Sequence, residues 1–254
     1  MKAICLITNI PNKIWCDFLN KFINFKIFII VDDNNIDLLD FNIIYKNITF
    51  VKVENEKCRL NGYLDMNFTC NKLISGWEKA LYYFGTDTDT DTDTDTDTDT
   101  DTDTKKYDFI WFIEDDVFLY NEYTIIQIDN NYKDEDLLSS NYIENIDGNK
   151  NYWHWSRINI EYQPPYYNGM MCIVRLSRNM IKCINDYAKL HKTLFFLEAL
   201  FPTISIKNNL KYNNPTELNS IYYRYNFEKH DINKYNIFHP VKDLNKHIFF
   251  RQLL

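Results

Sequence analysis

The 254-residue sequence has no C-x-x-C pair and no broad basic stripe. It also has no glycine-rich loop near its first apolar run, and no window approaching the roughly 18 uninterrupted apolar residues of a membrane span. Each absence removes a class of function. Cys5, Cys16, Cys58, Cys70, Cys172 and Cys183 lie far apart, and Cys5 and Cys172 fall in apolar runs, so they read as reduced core residues. The opening "MKAICLITNIPNKIW" has only a short apolar stretch with no small-residue cleavage site, so neither secretion nor membrane spanning is expected and the expected location is cytoplasmic. The formal charge of -8 is misleading, because nine aspartates belong to the Thr-Asp alternation from Thr86 to Thr104, and the remainder carries +1. A near-neutral chain without a basic face is not expected to hold nucleic acid.

What is present is ample apolar material, 45% of residues, with 17% aromatic. Four short runs rich in Ile, Val and aromatics, Ala3 to Thr8, Lys26 to Val31, Ile48 to Val53 and Tyr107 to Ile113, read as buried strands. "NKIWCDFLNKF" places Ile14, Phe18 and Phe22 on one helical face. "NFTCNKLISGWEKALYYF" does the same with Cys70, Leu73, Trp77, Ala80, Leu81 and Phe84. Strands alternating with helices imply a mostly parallel sheet, an α/β/α sandwich, and 1–254 reads as a single domain. The Thr-Asp tract, 86–104, has no apolar side chain to bury and is expected to be a disordered surface loop inserted before the fourth strand, on the face away from chemistry. A Ca²⁺ role for it lacks the glycine turns and mixed ligands of such sites.

Beyond Val117 the pattern loosens. Residues 129–168 read as a long loop region with one or two edge strands. Met170 to Arg175 reads as a strand, Ser177 to Leu190 as a helix, "KTLFFLEALFPTI" as a helix closed by Pro202, and "SIYYRY" as a last strand.

The chemistry-bearing stretch is "YDFIWFIEDDVFL", where Glu114, Asp115 and Asp116 follow an apolar strand directly. Adjacent carboxylates beside apolar neighbours are costly to ionise unless a cation sits among them. In an open α/β sheet, ligands bind beyond the carboxyl ends of the strands. Hard oxygen donors there suit Mg²⁺ or Mn²⁺, which would grip a diphosphate and absorb the charge of its departure. The competing assignment is that Asp115 or Asp116 caps a helix beginning at Val117.

This stretch resembles the apolar strand and acidic "DxD" element of GT-A fold glycosyltransferases, in its E-D-D form. The resemblance implies a Rossmann-like GT-A sandwich and a nucleotide-diphosphate sugar donor. It implies Asp116 as metal ligand, with Glu114 and Asp115 placing ribose, sugar or metal-bound water. It also implies a nucleoside pocket lined by Thr8 and Asn9 after the first strand and by Asp32 and Asp33 after the second, although Asp32, Asp33 and Asn34 equally suit ordinary turn chemistry. "FHPVKD" (Phe238 to Asp243) is similar to the C-terminal His segment of many GT-A enzymes, which implies His239 as a second metal ligand and Lys242 near the leaving phosphate; a packing role for His239 competes.

Transfer with inversion needs a general base on the acceptor side, and Glu198 in "LFFLEALFP" is an acid among apolar residues whose burial would raise its proton affinity. Pairing with Lys192 is its alternative, and a retaining enzyme would need no such base. "NYWHWSRINIEYQPPYYNGM" has the composition of a sugar platform. Trp153 and Trp155 share a face if extended and are acceptor-binding candidates, with core filling as the competing role. Asn168 and Gly169 are donor-binding candidates, the glycine allowing backbone to approach a ligand. Arg175 and Arg178 suit either phosphate or the surface.

The expected activity is metal-dependent glycosyl transfer, with Mn²⁺ or Mg²⁺, from a nucleotide-diphosphate sugar to a glycan or other hydroxyl acceptor. The alternatives are a nucleotidyltransferase and a non-catalytic sugar-binding or assembly protein on the same fold.

Overall fold

The computed structural model describes residues 1–67, 72–86 and 104–253. Its first half alternates strands and helices: β1 (Lys2–Thr8), α1 (Lys13–Leu19), β2 (Lys26–Val31), α2 (Leu39–Ile44), β3 (Ile48–Lys52), α3 (Asn55–Leu60), α4 (Gly76–Gly85), β4 (Phe109–Glu114) and α5 (Glu122–Asn131). The second half holds β5 (Leu137–Leu138), β6 (Tyr142–Asn145), β7 (Tyr166–Gly169), β8 (Ile173–Ser177), α6 (Arg178–His191), α7 (Leu197–Lys207), β9 (Tyr212–Asn213), β10 (Ser220–Ile221), β11 (Phe238–His239) and α8 (Leu244–Leu253).

Seven strands form one sheet in the order β3-β2-β1-β4-β8-β5-β9, in which β8 alone runs against the others. The Rossmann-like, mostly parallel α/β/α sandwich expected from the sequence is the architecture observed. Alternation along each strand feeds two layers. Cys5, Ile7, Phe28, Ile30 and Phe112 face α4, α6 and α7, while Ile4, Leu6, Ile29, Trp111 and Ile113 face α1 and α5. Two separate two-stranded ladders, β6–β7 and β10–β11, flank the sheet. No helix among the described residues is long and apolar enough to cross a membrane.

Several local expectations are corrected. α1 buries Trp15, Cys16 and Leu19, one residue out of phase with the expected stripe, because the helix begins at the Asn12 cap. Ser75 and Glu78 form a capping box that starts α4 at Gly76, leaving Leu73 outside the helix and 45% exposed. Cys70 lies outside the described residues. Pro202 sits inside α7 rather than ending it; it withholds the amide that would bond the Glu198 carbonyl, yet seven of its helix neighbours are buried and hold the turn. The last strand shrinks to Ser220–Ile221.

Residues 87–103 of the Thr-Asp tract lie outside the described residues, so the loop expectation is not tested there. Its flanks join the C-terminus of α4 to the start of β4, at the end of the sheet opposite Glu114. Arg178 ties those flanks together, donating to the carbonyls of Phe84 (2.7 Å), Tyr107 (3.0 Å) and Thr104. Arg175 is fully buried against Asp129 (2.9 Å) and the carbonyls of Tyr132 and Glu135. Both arginines are therefore structural rather than phosphate partners.

Candidate functional site at the end of β4

No helix begins at Val117. α5 starts at Glu122 behind an Asn121 cap, so the acidic triplet caps nothing and turns off the end of β4 into the interior. Each acid is held by a different element. The indole of Trp77 on α4 donates to Glu114 Oε1 (2.6 Å), and the hydroxyl of Thr8 at the end of β1 lies 2.5 Å from Asp115 Oδ2. The indole of Trp15 on α1 donates to the Asp115 carbonyl (2.7 Å). The Val241 amide donates to the Asp116 carbonyl (2.6 Å), while Phe118 and Phe238 exchange backbone hydrogen bonds of 2.8 and 2.9 Å. These last contacts zip the C-terminal "FHPV" segment onto the triplet, across more than a hundred residues of chain.

His239 thereby reaches Asp116, with Nε2 3.2 Å from Oδ1. The contact is an ion pair when the ring is protonated, and Asp116 Oδ1 is buried with no further hydrogen-bond partner among the described residues. On its other side, His239 Nδ1 is 2.8 Å from the Tyr222 carbonyl, a contact that places a proton on Nδ1 and turns Nε2 toward Asp116. Cys172 Sγ sits 3.2 Å from Nδ1, and its burial drives the thiol pKa far up, so it stays protonated there.

The site is short of positive charge. Burial, with Asp116 adding to it and the Trp77 hydrogen bond opposing it, pushes Glu114 up to about 7. Burial likewise raises Asp115, against the Thr8 hydroxyl. Glu198, in the first turn of α7, is pushed to about 7 by burial and by Glu114, with His239 opposing. For His239, burial lowers proton affinity, but Asp116 and Glu114 outweigh it and the pKa ends raised. Glu114, Cys172 and His239 offer ligand atoms within 4.8 Å of one another. Asp116 is not in that set; its Oδ1 meets the cluster through His239 alone, so the carboxylate and imidazole of Glu114 and His239 are the donors of a kind that suits a divalent cation, with Asp116 at their edge.

A second feature lies at the ends of β1 and β2: a cavity of about 500 Å³ lined by Asn9, Asp32, Asp33, Asn55, Arg59 and Lys72, among others. Asp32 is not the free acceptor expected from the sequence. Lys79, 1% exposed, lies 3.1 Å from Oδ1, and Lys72 lies 2.7 Å from Oδ2. Asp33 Oδ1 receives the Asn35 amide (2.9 Å), the turn chemistry that was the alternative. Lys242 faces a different cavity, with Tyr223, Arg224 and Tyr225.

The platform expectation divides. Trp153 and Trp155 lie in a turn and a 3-10 helix, not a strand, so they do not alternate. Trp155 is 1% exposed against Tyr166 and is a core residue. Trp153 is half-buried beside Phe196, two residues before Glu198. Gly169 is required by the protein itself, since a Cβ there would meet the Asn141 carbonyl at 2.5 Å; no ligand need be invoked. Asn168 is buried in β7 with Oδ1 unpartnered among the described residues. Sequence reasoning missed Trp77, Trp15 and Lys79. The indoles looked like plain core, and the signal for Lys79 was a lysine on an otherwise apolar helix face.

No family model and no curated protein matches the sequence. Among solved structures, one similar chain is the crystal structure of 4-diphosphocytidyl-2C-methyl-D-erythritol synthase from Anaerococcus prevotii, 9% identical over 99% of this chain and 95% of that one, with a TM-score of 0.45. A likeness of that degree carries no functional argument, so the functional reading rests on the site.

Proposed function

We propose that residues 1–254 act as one catalytic domain, a metal-assisted glycosyltransferase that moves a sugar from a nucleotide-diphosphate donor to a hydroxyl acceptor. The observation that carries this reading is the meeting of Asp116 and His239 around an unpartnered carboxylate oxygen, with a second buried acid, Glu198, close enough to feel Glu114 and His239. Asp116 and His239, with Glu114 beside them, would hold Mn²⁺ or Mg²⁺, the imidazole nitrogen favouring Mn²⁺. When bound, the cation supplies Lewis-acid stabilisation of the departing diphosphate. Thr8 and Trp77 fix the carboxylates of Asp115 and Glu114, and Trp15 fixes the backbone between Asp115 and Asp116, so their orientation is set in advance. Glu198, ionised, takes the acceptor hydroxyl proton, and Trp153 offers that acceptor a ring face. Asn9 and Asp33 border the cavity assigned to the nucleoside, with Asn168 a further donor contact.

Nucleotidyl transfer is the second reading. It would draw on Arg59 and Lys72 at the first cavity, each of which already pairs with a carboxylate, Glu56 and Asp32, and it is opposed by the lack of a glycine-rich loop after β1.

The test is a panel of nucleotide sugars and nucleoside triphosphates with and without Mn²⁺, wild type against Asp116→Ala. Nucleoside diphosphate released from a sugar donor, dependent on metal and lost in the variant, supports glycosyl transfer. Pyrophosphate release from a triphosphate would replace it with the second reading, and no release from any donor would leave a non-catalytic sugar-binding protein.

A further inference from the structure

The β10–β11 ladder runs past the metal cluster and opens into a cavity of about 440 Å³, within the range of small-ligand sites. His239 and Tyr222 tie the two strands at that point, with the Tyr222 amide donating to the His239 carbonyl (2.9 Å). The residues that follow on each strand, Tyr223 to Phe227 and Pro240 to Asp243, form the walls, and Lys246 of α8 closes the cavity. The wall is therefore anchored one residue beyond a proposed metal ligand on one strand and its backbone partner on the other.

Two properties of this wall define its ligand. The first is exposed aromatic surface on a fixed support. Tyr223 and Tyr225 are 71% and 48% exposed, and the Tyr225 ring lies 4.6 Å from that of Phe227, which is itself buried against Phe238. A half-exposed tyrosine held by a core ring, as Tyr225 is, suits the apolar face of a sugar, and Tyr223 adds a more open ring to the same cavity. The second is charge. Arg224 lies over the Tyr223 ring and Lys242 lines the same cavity, and neither has a carboxylate at ion-pair distance among the described residues. Lys246 is occupied, bonding Asn226 Oδ1 (2.9 Å) and the Phe227 carbonyl (3.1 Å), so it shapes the floor. The acid on the wall, Asp243, spends Oδ1 on the Asn245 amide at the start of α8.

We infer that this cavity binds a saccharide bearing a negative group, carboxylate or phosphate, and that it is the acceptor subsite of the site proposed above. The assignment as acceptor rests on the glycosyltransferase reading; the binding of an anionic sugar does not. Lys242 thereby moves from the leaving phosphate to the acceptor, and the sugar platform moves from Trp155 to Tyr223 and Tyr225.

The experiment is calorimetric titration of protein without metal or donor, using tetragalacturonate, mannose 6-phosphate and neutral cellotetraose. The variants are Arg224→Gln with Lys242→Gln, both on exposed residues, then Tyr223→Ala, and Lys182→Gln on the exposed face of α6 as a control. One of the two charged sugars is expected to bind saturably, identifying carboxylate or phosphate, about tenfold more tightly than cellotetraose. The double variant should lose about tenfold, Tyr223→Ala should weaken all saccharides, and Lys182→Gln should bind as wild type. No saturable binding of either charged sugar, or unchanged binding by the double variant, overturns the proposal. A separate titration of the same variants with UDP-glucose completes the test: loss of affinity there by the double variant, with the charged saccharide retained, makes the cavity a donor subsite and again overturns the proposal. Because neither metal nor turnover is required, a failed donor panel with intact saccharide binding would remove only the catalytic reading.

Discussion

Two strand ends of the same parallel sheet carry acidic residues, and the protein treats them in opposite ways. After β2, Asp32 is bracketed by a buried lysine and a half-exposed one, Lys79 and Lys72, so its charge is compensated from within. After β4, Glu114, Asp115 and Asp116 receive two indole N–H groups, a hydroxyl and one imidazole, but no Lys or Arg ion pair among the described residues. A carboxylate that is only structural can be neutralised permanently by a lysine. Carboxylates without a buried lysine either take up protons, as the raised Glu114 does, or accept a cation from outside, and that choice sets the β4 end apart from a structural pair.

The largest expected effect sharpens that contrast. Asp116→Asn should reduce metal-dependent turnover by about a thousandfold and abolish the rise in melting temperature that Mn²⁺ gives wild type, about 2.7 kcal/mol at a hundred times its Kd. Without metal the variant should melt no lower than wild type, since it removes an uncompensated charge; a clear loss of metal-free stability would mean that Asp116 is a structural residue after all. Lys79→Met should do the reverse. It leaves Asp32 with the half-exposed Lys72 alone and takes the donor from the Asp32 carbonyl and Asn34 Oδ1 as well, and should cost about 3 kcal/mol in denaturant unfolding; adding Asp32→Asn should recover part of that. Equal stability of Lys79→Met and wild type would break the comparison.

The sequence exposes the β4 end far better than the β2 end, for a physical reason. Strand periodicity and the run from Phe109 to Ile113 locate β4, and the triplet at its carboxyl end follows from counting. β2 was legible to the residue, Lys26 to Val31. What pairs with Asp32 was not, because Lys79 lies 47 residues later on a helix whose register depended on the Ser75–Glu78 cap. Trp155 failed as a platform for the same kind of reason. Its exposure depends on a turn conformation, and composition carries no information about which face of a tryptophan meets solvent. His239 was legible as a motif, but the contact that brings it to Asp116 is backbone pairing between residues 118 and 238, which leaves no trace in local pattern.

Glu198 offers a smaller effect on the same contrast. Glu198→Gln should lower turnover by about a hundredfold while leaving metal binding intact. In wild type, the acid limb of kcat/KM should follow Glu198 itself: activity rises as the group ionises, toward about 7 before metal is present, and a bound cation moves the limb lower. The limb should vanish in the variant. Persistence of the same limb in Glu198→Gln would assign the titration to another acid.

Glu78 tests a third way of burying a carboxylate, with neither a lysine nor an external ion. It is fully buried in α4, and its oxygens take the Met66 amide (2.7 Å), the Ser75 amide (2.8 Å) and the Ser75 hydroxyl (2.6 Å). Burial nevertheless dominates and raises it from 4.5 to about 7, the three hydrogen bonds opposing. Between those values the folded state binds the extra proton, so stability is greatest below about 4.5 and declines as pH rises toward about 7. The decline attributable to this one group should be on the order of 2 kcal/mol. It is read as the difference between wild type and Glu78→Gln in denaturant unfolding at pH 5 and 7.5, since the amide does not titrate. The variant loses an acceptor at both pH values, so only the change in the difference matters. A difference that stays flat or reverses would mean that three N–H and O–H donors outweigh burial, and the triplet at β4, with comparable donors, would then need no cation to remain charged.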